Sequence, residues 1–226
     1  MNAKPVLAAV VLISGMSGAS ALTSQNIGPA NVGYDETTSF GFLSSWFSSA
    51  TVYGFTWTVP ATAQVASFGP LTIVNVPLPD FSVTANPDWA LSNLSAFLGN
   101  LVYTEVGAAT TNIVANANVS VNGGPALPIG PVSLARTQTG GGPGFASGYF
   151  ADTLAVPGAF NSLAVSGAGI DLSATGGVFS SISSQPQNKL EISFTALPVP
   201  EPETYAMMLA GLAALGWMSQ RRRAQG

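Results

Sequence analysis

The chain has 226 residues, enough for one moderate domain with a core of its own. Only 7% of them are charged, against roughly 25% in an ordinary soluble protein, so polarity rests on Ser, Thr, Asn and Gln. With no cysteine and no histidine, disulfide stapling is excluded and the commonest general base and zinc ligand are missing.

Charge is unevenly placed. Between Leu22 and Val199 eight acidic residues accompany only two basic ones, Arg136 and Lys189, a net of −6. So acidic a body has no footprint for nucleic acid, which needs a basic patch.

The chain opens with Lys4, an apolar run from Pro5 to Met16, and a small-x-small site at Ala19-Ser20-Ala21. This is the three-part pattern of a secretory signal peptide, residues 1–21, with signal peptidase cutting after Ala21. The bland alternative is a buried N-terminal helix or strand.

From Leu22 to Phe40 the periodicity is broken by Gly28, Pro29, Asn31 and Gly33, and a lead-in is expected. Thr51 to Val59 carries the best period-2 signal, with Tyr53, Phe55, Trp57 and Val59 on one face. Short β-branched runs follow at 64–68, 71–76 and 80–84, separated by Gly69-Pro70 and by Pro77 and Pro79. Ala90 to Leu98 reads as a short helix after Asp88, because Leu91, Leu94 and Leu98 would share a face. Leu101–Val106 and Asn112–Val121 read as strands, the second with Ile113, Ala115, Ala117 and Val119 on one side. Asn122-Gly123-Gly124 makes a turn, Val132–Ala135 a further strand, and the glycine-rich run Thr139–Gly144 a flexible loop. The last block gives strands at 148–154, 159–170, 177–183 and 189–197. Val156-Pro157-Gly158 and Gly176-Gly177 are expected as separators.

Nine or ten short strands with Gly/Pro turns predict an all-β fold: an antiparallel β-sandwich or jelly-roll-like body over 22–199. A β-helix is the runner-up, without a fixed period to support it.

The tail, 200–226, begins with Pro200-Glu201-Pro202 and ends with Arg221, Arg222 and Arg223. The apolar run between, Tyr205 to Met218, makes a helix of about 21 Å at about 1.5 Å per residue, short of the roughly 30 Å hydrocarbon core. Thr204, Ser219 and Gln220 extend it and the arginines can snorkel, so a transmembrane helix is expected over 204–220. The arginines then mark the cytoplasmic side and place the body outside. An amphipathic surface helix is the alternative, but the run has no polar face.

These three parts resemble the PEP-CTERM sorting signal of exopolysaccharide-producing Gram-negative bacteria. The same segment is also called the ice-binding protein C-terminal domain, which describes the tail and not an ice-binding activity. The resemblance implies an exosortase-like membrane transpeptidase or protease as processing partner. It further implies an inner-membrane precursor, and then release or transfer to the cell surface or extracellular matrix. The body resembles the FxDxFTF subgroup of that family. Phe55-Thr56-Trp57 stands on the FTF portion, Thr51 and Tyr53 replace its Phe and Asp, and Leu154 to Gly167 resembles a later hairpin of the subgroup. Gly176-Gly177-Val178-Phe179-Ser180 resembles the continuation of that hairpin.

No enzyme is expected. Asp35 with Glu36 is an adjacent pair on opposite faces or in solvent. Sequence brings no two of Asp80, Asp88, Glu105, Asp152, Asp171 and Glu191 to a glycosidase spacing. No serine sits in a nucleophile elbow, and a Ser/Lys pair would need Lys189, which reads as a solvated charge. Thr139–Gly144 lacks the lysine of a phosphate loop. No cofactor or metal is expected, although Asp152 and Asp171 could serve a structural calcium. The leading expectation is therefore an exported structural protein associated with exopolysaccharide or biofilm. The alternative is a carbohydrate-binding or adhesive module, for which Trp46 and Trp89 are the candidate surface aromatics, with Tyr53, Phe55 and Trp57 assigned to the core.

Overall fold

The computed structural model describes residues 22–199, 206–213 and 215. Ala19, Ala21, Pro200, Glu201, Pro202, Arg221, Arg222 and Arg223 lie outside the described residues, as does most of the expected span 204–220. Within that span, 206–213 and 215 are helical, with Met207, Met208, Leu209, Leu212 and Leu215 exposed. Among the described residues no helix is long and apolar enough to cross a membrane.

The body is built from strands alone. In chain order they are β1 (Thr23–Asn26), β2 (Ala30–Tyr34), β3 (Ser45–Ser49), β4 (Val52–Thr58) and β5 (Gln64–Ser67). Next come β6 (Thr72–Pro77), β7 (Phe81–Ala85), β8 (Trp89–Val106), β9 (Ala109–Val121) and β10 (Leu127–Ser133). The last five are β11 (Arg136–Gly142), β12 (Phe145–Phe160), β13 (Ser162–Gly176), β14 (Phe179–Ser183) and β15 (Lys189–Pro198).

They form two antiparallel sheets. One runs β1-β2-β7-β13-β9-β10, with β6 also on β13; the other runs β11-β12-β8-β15-β4-β3, with β14 on β8 and β5 on β14. The sheets meet through their apolar faces. Tyr34 and Phe81 from the first contact Trp57 and Phe55 from the second, with ring centroids 5.7 to 6.0 Å apart. Phe55, Trp57 and Phe194 are fully buried, and burying a side chain of this size contributes about 1.5–3 kcal/mol. In a chain without disulfides this single inter-sheet core carries the stability. The expected two-sheet antiparallel architecture is thus present.

Several local expectations are corrected. Ala90–Leu98 is not a helix but the first half of β8. Its i, i+3 leucine spacing comes from bulges: Asn93 and Asn100 have φ of 54° and 65°, and each adds one residue to β8 against a neighbour. Leu91 and Leu94, then Leu98 and Leu101, consequently all point inward. Thr139–Gly144 is not a loop. Most of it lies in β11, an edge strand whose hydrogen bonds to β12 need no side chains. Val156-Pro157-Gly158 does not separate strands but forms a bulge inside β12. The turn falls at Asn161, so Phe160 and Leu163 are both buried. The segment around it is not a hairpin either, since β12 and β13 belong to different sheets. The same is true of β13 and β14 across Gly176-Gly177. The lead-in contains β1 and β2, where Asn31 and Gly33 face away while Ala30, Val32 and Tyr34 fill the core.

Candidate functional site

Strand β8 spans the body. Its eighteen residues correspond to about 60 Å at about 3.3 Å each, less what the bulges remove. One pole is marked by Trp89 and the facing Pro198, where the chain leaves β15 and Val199 N–H donates to the Asp88 carbonyl at 2.8 Å. At the other, Val106 lies beside Phe179, Phe145 and the turn at Gly107. Because β15 is flanked by both β4 and β8, the tail is attached to an interior strand of its sheet.

The candidate aromatics part company. Trp46 lies on edge strand β3 and is 57% exposed. Trp89 is half-buried, edge-on to Tyr53 at 6.1 Å, and packs against the core. Phe55 and Trp57 are core, as expected, and Tyr53 is stacked on Phe194 at 6.4 Å.

Six of the eight carboxylates between Leu22 and Val199 are separately engaged. Asp35 accepts from Thr37, Glu36 from Thr23, Asp80 from the Gly167 N–H and Asp171 from Asn75. Asp152 accepts from the Ala135 and Thr153 N–H groups at 3.1 and 2.7 Å. Lys189 is exposed. Among the described residues no group of three or more acidic side chains is placed to hold a metal ion.

Two arrangements escape the sequence. The first is a polar clamp between the sheets. Glu105, 5% exposed, accepts from Thr111 N–H and Oγ1 on β9 at 2.6 and 2.8 Å. Arg136 grips it with both terminal nitrogens while lying over the Tyr103 ring, 4.0 Å from its centroid. Burial alone would raise the Glu105 carboxyl, but hydrogen bonds from Arg136 and Thr111 outweigh it and hold the group below its usual range. The same pairing raises Arg136. Nothing in the sequence connects residues 31 positions apart.

The second is a cavity of about 120 Å³ between the sheets, lined by Leu94, Ala96, Ala115, Ala117, Leu154 and Ala168 among others. Alanines stand here at inward positions. Beside Ala115 and Ala117, register shifts interrupt both neighbours of β9: β10 between Ile129 and Val132, and β13 between Ser166 and Gly169. Asp152, Thr153 and Asn116 supply its polar rim. The trace it leaves in the sequence is the run of small residues on the inward face of β9.

The described body is thus followed at once by the tail. Residues 198–223 match the PEP-CTERM protein-sorting motif. The motif marks an exported protein, held first as a membrane-anchored precursor and processed by an exosortase-type membrane enzyme. It overlaps β15 by one residue, Pro198, so hardly any linker separates the sorting motif from the sheet. No curated protein and no solved structure matches the chain.

Proposed function

We propose that the chain is a non-enzymatic structural protein of the cell surface or extracellular matrix, associated with exopolysaccharide or biofilm. Its signal peptide, 1–21, is removed after Ala21. The helix over 204–220 holds the precursor in the inner membrane, with Arg221, Arg222 and Arg223 on the cytoplasmic side. The sorting enzyme then acts at Pro200-Glu201-Pro202. The observation that carries this reading is the sorting motif abutting an interior strand of a two-sheet body.

Two features support a cohesive role over a catalytic one. Six of the eight carboxylates between Leu22 and Val199, all but Asp88 and Glu191, are engaged in separate structural hydrogen bonds. The pole remote from the chain exit exposes large apolar side chains, Phe68 at 79% and Val178 at 70%, where contacts with other matrix components would be made. The test is the intact mass of the protein from inner membrane, outer envelope and medium. A species lacking both the first ~21 residues and everything after the motif agrees with the proposal. A species confined to the inner membrane and retaining Arg221 to Arg223 overturns it.

A second reading, a carbohydrate-binding module, is favoured by Trp46 alone, an exposed indole on an edge strand. A glycan array with the chain and its Trp46→Ala variant decides it. Binding that disappears in the variant supports the module, and no binding by either removes it.

A further inference from the structure

Cores are close-packed, and a void between sheets is costly in lost contacts. Here Ala115 and Ala117 on β9 and Ala168 on β13, all in one sheet, share the cavity wall with Ala96 on β8 of the other. Any of them as leucine or valine would fill space that this disulfide-free chain could use for stability. The void is also reachable. Ala115, Ala117, Ile129, Val132 and Leu154 are only half-buried, and β11 covers β12 only from Phe145 to Phe150. The second half of β12 and the outer side of β10 therefore flank an opening between the sheets.

Two free strand edges beside an apolar groove would ordinarily invite a third strand. Pro128 and Pro131 on β10 and Pro157 on β12 act against this, since each lacks the N–H that pairing needs. The opening suits a small ligand better than a peptide. Its size sets the apolar part: a cavity of roughly 150 Å³ with similar lining takes benzene, and this one measures about 120 Å³. Its rim sets the polar part. The Asp152 carboxylate is fixed by Ala135 and Thr153 N–H groups, and a carboxylate has further acceptor capacity for a donor on the ligand.

We propose that this inter-sheet cavity is a binding site for a small amphiphile: one aromatic ring or a branched alkyl group of similar bulk, carrying a hydrogen-bond-donating head that meets Asp152. The test uses the full chain in lipid nanodiscs with methyl-labelled alanine, titrated with benzylammonium, benzyl alcohol and benzoate. Saturable one-to-one shifts are expected in the methyls of Ala96, Ala115, Ala117 and Ala168 with the first two probes, and weaker or no binding with benzoate. Ala117→Leu should weaken binding by about tenfold or more, because its added carbons occupy the ring's place, with Tm unchanged or raised. Asp152→Asn should weaken benzylammonium more than benzyl alcohol. Should Ala117→Leu fail to fold, Ala115→Val fills less space and is read in the same way. Absence of saturable shifts in the unsubstituted chain, or binding indifferent to the filling variants, overturns the proposal. Benzoate binding as tightly as benzylammonium overturns the role given to Asp152.

Discussion

Glu105 shows how one buried charge can tie two sheets together. It stands on β8, receives Thr111 from β9 in the opposite sheet, and is gripped by Arg136 just after the chain crosses from β10 to β11. Its folded carboxyl lies below the unfolded one, so protonation is harder in the native state. The resulting stability is fully present above the unfolded value, about 4.3, and is lost as pH falls through the lowered folded value. Glu105→Gln should therefore lower stability at neutral pH by about 1–3 kcal/mol. It should also flatten the acid limb of a plot of denaturation midpoint against pH. A variant with the same acid limb as the parent would show that other carboxylates control it. Arg136→Lys should lose part of the same stability, since an ammonium cannot make both contacts of the guanidinium.

At the scale of elements, the bulges of β8 matter most. Asn100 has a left-handed backbone, a conformation that asparagine and glycine accept and β-branched residues resist. Asn100→Val should cost about 1–3 kcal/mol, whereas Asn100→Gly should stay close to the parent. Equal losses by chemical denaturation in the two variants would mean that the bulge is unstrained. These asparagines also explain what the sequence could and could not disclose. Period-2 alternation was visible in β4 and in β15, where Leu190, Ile192 and Phe194 are buried and Glu191, Ser193 and Thr195 are not. It failed in β8 because two inserted residues turned a strand's spacing into a helical one. It failed in β11 because glycine carries no side chain from which to read a period. Sheet membership was invisible for a different reason. A turn as short as Asn161 suggests a hairpin, yet here it carries the chain from one sheet to the other. The cavity was half-legible. Ala115 and Ala117 stood out as inward positions of β9, but only the tertiary structure sets them opposite Ala96.

For the whole molecule, the relation of body to tail is the functional question. The sorting motif starts within the last residue of β15, and β15 is held on both sides. The segment offered for processing is therefore tethered to a fixed point at the Trp89 pole. Pro200 and Pro202 have fixed φ and no N–H, which favours an extended chain that a protease cleft can read. Replacing Pro200, Glu201 and Pro202 together with alanine removes this preference and one acidic group, while leaving every described contact of the body in place. Export should continue, the denaturation midpoint of the body should not change, and precursor that keeps its tail should accumulate in the inner membrane. A normal ratio of processed to precursor protein would mean that the tripeptide is not what the enzyme reads. Lengthening the chain between Val199 and Pro200 with a Gly/Ser segment separates the two remaining ideas. If the fixed attachment point matters, processing slows although the motif is intact; if only the motif matters, the rate is unchanged.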